Sequence, residues 1–102
     1  MRINLVVSQR VSLKLLRKHN VSIGEVEECF ANRTMSTLID NRPWNKTEPP
    51  TQPTQWFIAP TDSGRRLLVA FMFYRDKSRI QLKTAYEPNM AEERLYEEKA
   101  ST

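Results

Sequence analysis

The side chains best suited to chemistry lie on two predicted strands in the segment from Arg65 to Glu98. If Asp76 and Lys77 form the turn between these strands, alternation along each strand puts one set of side chains on one face of the sheet. This set consists of Arg66, Tyr74, Arg79 and Lys83. Cations contact phosphates, and an aromatic ring stacks on a base. The pattern therefore predicts a face that binds RNA, with an ordinary solvated sheet face as the alternative.

A second group of cations lies on the first predicted helix, which runs from Gln9 to His19. The helical period predicts a basic side and an apolar side. The basic side is Arg10, Lys14, Arg17 and Lys18, and the apolar side is Val11, Leu13, Leu15 and Leu16. Over the whole chain, 16 Lys and Arg oppose 12 Asp and Glu, giving a net charge of +4 and a pI near 9.5. This balance permits a polyanionic partner without requiring one.

Several kinds of site are excluded by residue counts. With one Cys and one His, the chain cannot build a zinc site of the usual Cys/His kind, and its two glycines do not form a phosphate-binding loop. No pair of carboxylates is placed to hold magnesium, so any phosphoryl chemistry is expected to need neither metal nor cofactor. The single Cys29 fits a reducing compartment, and no apolar run approaches the roughly 20 residues that span a bilayer. We therefore expect a cytoplasmic protein.

The elements that must position these side chains predict a single α+β domain over residues 1–102. A strand at residues 2–7 ends at Ser8, which can cap the first helix, and the spacing of Ser22 and Glu25 is that of a capping box for a second helix. A strand follows at residues 34–40, then a Pro-rich loop at about 41–54 that Trp44 is expected to hold against the body. Three further strands form a mainly antiparallel sheet, and Pro88 and Asn89 open a terminal helix.

Strand register decides which side chains are buried. The turn at Asp76 and Lys77 predicts that Phe71 and Phe73 face the core opposite Leu82 and Ile80, and that Arg66 lies opposite Glu87. A four-residue turn at residues 61–64 would add Trp56 and Ile58 to the core. We expect the helices to cover this one side of the sheet and to leave the basic face open.

The sequence also resembles a known family at several short motifs. These are Lys18-His19-Asn20-Val21-Ser22, Gly64-Arg65, Leu67-Leu68-Val69, Arg75-Asp76, Arg79-Ile80, Glu92, Arg94 and Tyr96-Glu97-Glu98. In these positions the chain is similar to the BrnT family of type II toxins, within the RelE/ParE-like superfamily. The resemblance implies a RelE/ParE-like fold and an endoribonuclease that restrains growth until a cognate antitoxin binds it. It also implies attack by the ribose 2′-OH on the adjacent phosphate without a metal.

The resemblance assigns roles to a few residues. Arg75 and Arg79 match family positions and are expected to contact phosphate, whereas His19 is expected to be a buried structural residue on the apolar side of its helix. Tyr86 and Glu87 stand where relatives carry basic residues, and the last helix is acidic. Lys83 then becomes the candidate for charge stabilisation and Glu87 or Tyr86 the candidate for proton transfer.

Two other functions remain open at this stage. The chain could be a module that binds nucleic acid or protein on the same fold without cleaving anything, in which case Glu87 simply pairs with Arg66 across the strands. A hydrolase of ADP-ribose modifications is disfavoured, because such enzymes are larger and use clustered acids around magnesium.

Overall fold

A computed structural model describes residues 4–39, 53–74 and 77–100. Within these ranges the chain is α+β, with a five-stranded mixed sheet and three helices, in the order β1 Asn4–Val6, α1 Gln9–Lys14, α2 Ile23–Asn32, β2 Leu38–Ile39, β3 Thr54–Pro60, β4 Arg66–Tyr74, β5 Arg79–Tyr86 and α3 Met90–Ala100. A π-helical segment, Leu15–His19, continues α1. Most of the predicted Pro-rich loop, including Trp44, and the candidate Arg75 lie outside the described residues.

The sheet has the strand order β1-β5-β4-β3-β2. Strand β1 runs parallel to β5, and the three remaining pairs of neighbouring strands are antiparallel. The prediction of a mainly antiparallel sheet is confirmed. None of the helices in the described ranges is long and apolar enough to cross a membrane.

Polar side chains cap the starts of all three helices. The Ser8 hydroxyl accepts from the backbone N–H of Val11 at 3.2 Å, as predicted. Ser22 and Glu25 form the predicted capping box, in which each side chain accepts from the other residue's backbone N–H. Asn89 and Glu92 make the same reciprocal pair at the start of α3.

The predicted apolar side of the first helix is only half right. Val11 and Leu15 lie one turn apart, and Leu15 is buried with only 1% of its surface exposed. Leu13 and Leu16 also lie about one turn apart, but on a different side, and they are 43% and 51% exposed. The helical period does not bring all four side chains to one face.

The connection between β3 and β4 is one residue longer than predicted, and this exchanges the faces of β3. Pro60 pairs with Arg66, so the loop comprises five residues, 61–65, and Gly64 in it has a positive φ of 92°. Phe57 lies beside Val69 and packs on Phe30 of α2, with ring centroids 4.9 Å apart. We call this side of the sheet the α2 face.

Trp56 and Ile58 therefore lie on the opposite side, which we call the α3 face. Both are buried, but not against α2, so the prediction that they share a face with Phe71 is wrong. The Trp56 ring packs on Tyr96 of α3 at a centroid distance of 5.6 Å. The expectation that helices cover only one side of the sheet is also wrong, because α3 covers part of the second side.

The β4–β5 register matches the prediction only next to the turn. The four pairs from Tyr74–Arg79 to Phe71–Leu82 are confirmed, and then a bulge shifts the register so that Ala70 pairs with Thr84. Lys83 is the extra residue of this bulge, because two residues of β5 oppose one of β4 there. The predicted pairing of Arg66 with Glu87 is consequently wrong.

Candidate nucleic-acid interface

Arg79 and Tyr74 form the first half of the candidate site, at the end of the α3 face near the β4–β5 turn. They are direct cross-strand neighbours, and the guanidinium carbon of Arg79 lies 4.9 Å from the centre of the Tyr74 ring. This is the geometry of a cation–π contact. The Arg79 Nε is buried and has no hydrogen-bond partner among the described residues. The pair presents a cation and an aromatic ring together, as predicted.

Lys83 forms the second half of the site through the bulge. Its ammonium group donates to the hydroxyl of Thr54 at 3.2 Å, and Thr54 is buried on the α3 face of β3. The Lys83 side chain therefore extends across β4 on the same face as Tyr74 and Arg79. A bulge changes the direction of a side chain, and here it places this cation on the candidate face.

We call Thr54, Tyr74, Arg79 and Lys83 the cation cluster. Their neighbours on this part of the face, Met72 and Gln81, are uncharged, and none of the described residues that share it is Asp or Glu. Arg79 and Lys83 place two positive charges on one part of the sheet face, and such charges attract a phosphate backbone.

Arg66 lies on the same face but belongs to a different environment. Its guanidinium donates to both carboxylate oxygens of Glu93 on α3, with distances of 2.9–3.2 Å. This hydrogen bonding raises the pKa of Arg66 above its ordinary value. Glu93 offsets the positive charge of the Arg66 guanidinium, and the role of Arg66 in RNA binding stays a prediction.

The two predicted proton-transfer residues are bonded elsewhere. The Tyr86 hydroxyl donates to Glu92 Oε2 at 2.6 Å. The Glu87 carboxylate accepts from Arg65 Nε at 2.8 Å.

Distance along β5 also separates the predicted catalytic residues. At about 3.3 Å per strand residue, Tyr86 lies roughly 10 Å beyond Lys83 and roughly 23 Å beyond Arg79. The structure therefore brings Lys83 and Arg79 to one end of the face and places Tyr86 and Glu87 at the other end. It does not assemble all four into one site.

The remaining candidates lie on the first helix and at its end. Lys14, Arg17 and Lys18 are exposed, as a nucleic-acid contact requires, and they stand at the helix C-terminal end, where the dipole favours cations. His19 is half-buried, with its ring 5.7 Å from the ring of Tyr86, which agrees with a structural role.

Sequence reasoning missed two residues that matter here. Thr54 holds the Lys83 ammonium group, but nothing in the local sequence indicates that contact. Arg65 stands beside Arg66, and the pattern alone does not tell which of two consecutive arginines turns toward the helices. In the structure Arg65 contacts Glu25, Glu87 and the backbone carbonyls of His19 and Asn20.

Comparison with known proteins adds no assignment: no protein-family model matches the chain, and no curated protein is similar to it. Within residues 4–39, 53–74 and 77–100, no group of three His, Cys, Asp or Glu side chains could hold a metal ion.

Proposed function

We propose that the protein is a single-domain, RelE/ParE-like endoribonuclease of the BrnT type, acting in the cytoplasm as the toxin of a type II toxin–antitoxin pair. The observation that carries the proposal is the cation cluster, which combines two cations and an aromatic ring on one sheet face. The order of one strand, two helices, four strands that pair antiparallel and a final helix is also consistent with that fold.

In the proposed reaction, the ribose 2′-oxygen forms a bond to phosphorus as the bond from phosphorus to the 5′-oxygen breaks. The 2′-OH proton passes to a base, and the leaving 5′-oxygen gains a proton. The products are a 2′,3′-cyclic phosphate and a 5′-OH. Lys83 and Arg79 stabilise the charge on the phosphorane oxygens, and Tyr74 stacks on a flanking base.

The test is cleavage of RNA by the purified protein in the presence of EDTA, with detection of cyclic phosphate ends. Lys83→Ala and Arg79→Ala should each lower the cleavage rate at least about tenfold, because each removes a charge that stabilises the transition state. Lys77→Ala and Arg94→Ala are matched controls, since both side chains are exposed and lie outside the cation cluster. Equal rates in all four variants would refute the site.

A growth assay tests the biological half of the proposal. Expression of the wild-type chain alone should slow growth, and Lys83→Ala should relieve it. An antitoxin encoded alongside should restore growth when it is co-expressed. Normal growth on wild-type expression at a protein level matched to Lys83→Ala would contradict a toxin.

A second candidate is a nucleic-acid-binding module without catalytic activity. It is favoured by the observation that Tyr86 and Glu87 are bonded to Glu92 and Arg65, away from the cations. This function predicts RNA binding that weakens with rising salt, because phosphate contacts release counterions. It also predicts that no cyclic phosphate product forms. The EDTA cleavage assay distinguishes the two candidates.

A further inference from the structure

A cavity of about 640 Å³ lies between α3 and the α3 face of the sheet, apart from the cation cluster. Its walls are mainly apolar side chains, namely Leu38, Ile39, Trp56, Leu68, Ala70 and Leu95. Pockets that bind small molecules typically measure about 300–1,000 Å³ and have walls of this kind. The cavity therefore has the size and lining of a ligand site.

The floor of the cavity explains why α3 does not fill it. Ala70 and Thr84 are direct cross-strand partners, and both are small. At the rim, Ile39 and Leu95 remain 49% and 45% exposed. The small floor residues, the buried Trp56 beside them and the exposed apolar rim form a concave apolar surface of the kind that binds small molecules.

The polar side chains that line the cavity are Thr84, Tyr86, one acid, Glu92, and one cation, Lys99. Tyr86 and Glu92 both line it, and the Glu92 carboxylate accepts one hydrogen bond from Tyr86 and one from the backbone N–H of Asn89. A carboxylate has about four acceptor positions, so Glu92 can accept a further donor from a ligand.

The net charge of α3 also disfavours an anionic ligand. The helix carries four glutamates against Arg94 and Lys99, so it is net acidic, and Lys99 is the cation that lines the cavity. A polyanion would bring negative charge close to Glu92, whereas a neutral or cationic molecule would not. The cavity is thus unsuited to the RNA that the cation cluster suits.

We propose that this cavity is a separate binding site for a small aromatic molecule that is neutral or carries one amino group, with an N–H that donates to Glu92. The site stands on its own geometry and does not depend on the nuclease proposal. Its occupant packs between Trp56 and Leu95 and lies over Ala70.

The test uses two fluorescent probes that share one ring system and differ by a single sulfonate group. N-phenylnaphthylamine has an N–H and no charge, and anilinonaphthalene sulfonate has the same ring system with one added sulfonate. We expect saturable binding of the neutral probe at one site per chain, with an affinity at least about tenfold higher than that of the sulfonate, because Glu92 repels an anion.

Variants locate the site. Leu95→Gln should weaken binding of the neutral probe at least about fivefold, because it removes apolar contact from the cavity wall. Leu16→Gln is the matched control, since Leu16 is similarly exposed but lies on the first helix, and it should leave affinity within about twofold. Circular dichroism verifies that both variants are folded.

Glu92→Gln tests the charge argument and keeps a side chain that can still cap α3. This substitution should reduce the difference in affinity between the neutral probe and the sulfonate. The proposal is overturned by an absence of saturable binding, by equal affinities in Leu95→Gln and Leu16→Gln, or by an unchanged preference for the neutral probe in Glu92→Gln.

Discussion

Replacement of Arg65 by alanine should destabilise the fold more than any exposed charge would suggest. The guanidinium donates to the carbonyls of His19 and Asn20 at 2.9 and 2.7 Å, and it pairs with Glu25 and Glu87 at 3.2 and 2.8 Å. It therefore connects the end of the first helix, the start of α2, the start of β4 and the residue that follows β5. Its side chain is only 23% exposed.

The magnitude follows from these contacts. Each hydrogen bond to a backbone carbonyl contributes about 0.5–1.5 kcal/mol, and each partly exposed ion pair contributes about 0.2–1 kcal/mol after solvent screening. We therefore expect Arg65→Ala to lower the free energy of unfolding by about 2–4 kcal/mol. Arg65→Lys should recover less than half of this loss, because an ammonium group cannot reproduce the planar array of donors.

The assay is urea denaturation followed by circular dichroism, and Arg66→Ala is the matched control. Arg66 is the next residue, but it makes a single bidentate pair with Glu93 and is 48% exposed. Its replacement by alanine should therefore lower the free energy of unfolding by about 1 kcal/mol or less. If the free energies of unfolding of Arg65→Ala and Arg66→Ala agree within about 0.5 kcal/mol, Arg65 does not connect these elements.

Three further predictions rest on single residues. Gly24 lies in a helix, where an added Cβ would come no closer than 3.8 Å to Ser22, so Gly24→Ala should stabilise the protein by up to about 1 kcal/mol. Gly64 has a φ of 92°, so Gly64→Ala should destabilise the protein by about 1 kcal/mol or more. Urea titration measures both changes. Burial raises the pKa of Cys29 to about 11, so iodoacetamide at pH 8 should alkylate the native thiol at least about a hundredfold more slowly than the urea-unfolded chain, and a similar rate in both would refute its burial. The hydrogen bond from the Ser22 backbone, followed by those from Arg65, lowers the pKa of Glu25 below 4.5. The contribution of the Glu25 carboxylate to the free energy of unfolding is therefore complete above pH 4.5 and is lost as the pH falls through the lowered pKa. In Glu25→Gln the free energy of unfolding should depend less on pH in this acidic range.

Local signals predicted the helix starts and the turn-proximal part of the sheet well. Capping by Ser8 and by Ser22 with Glu25 depends on residues three positions apart, so the sequence contains the whole interaction. The pairs nearest the β4–β5 turn follow from the turn itself. This is why Tyr74 and Arg79 could be placed on one face beforehand.

Features that depend on a single added residue could not be predicted in the same way. No residue type indicated the bulge at Lys83 or the fifth residue of the β3–β4 loop, and each changes the partner of every residue beyond it. The bulge separated Glu87 from Arg66, and the loop exchanged the faces of Trp56 and Phe57. The contact between Lys83 and Thr54 arises only from the assembled sheet.

The parallel pairing of β1 with β5 has a consequence for how the chain folds during synthesis. Asn4 to Val6 pair with Arg79 to Gln81, so the first described strand finds its partner only after β2, β3 and β4 have been made. Closing so long a loop is entropically costly and slow, and it leaves the β1 edge and the apolar side of α1 without a sheet to pack on in the nascent chain. Because β5 also carries Arg79 and Lys83, the cation cluster forms only in that same late step. The proposed RNA site therefore assembles only after β5 has been synthesised.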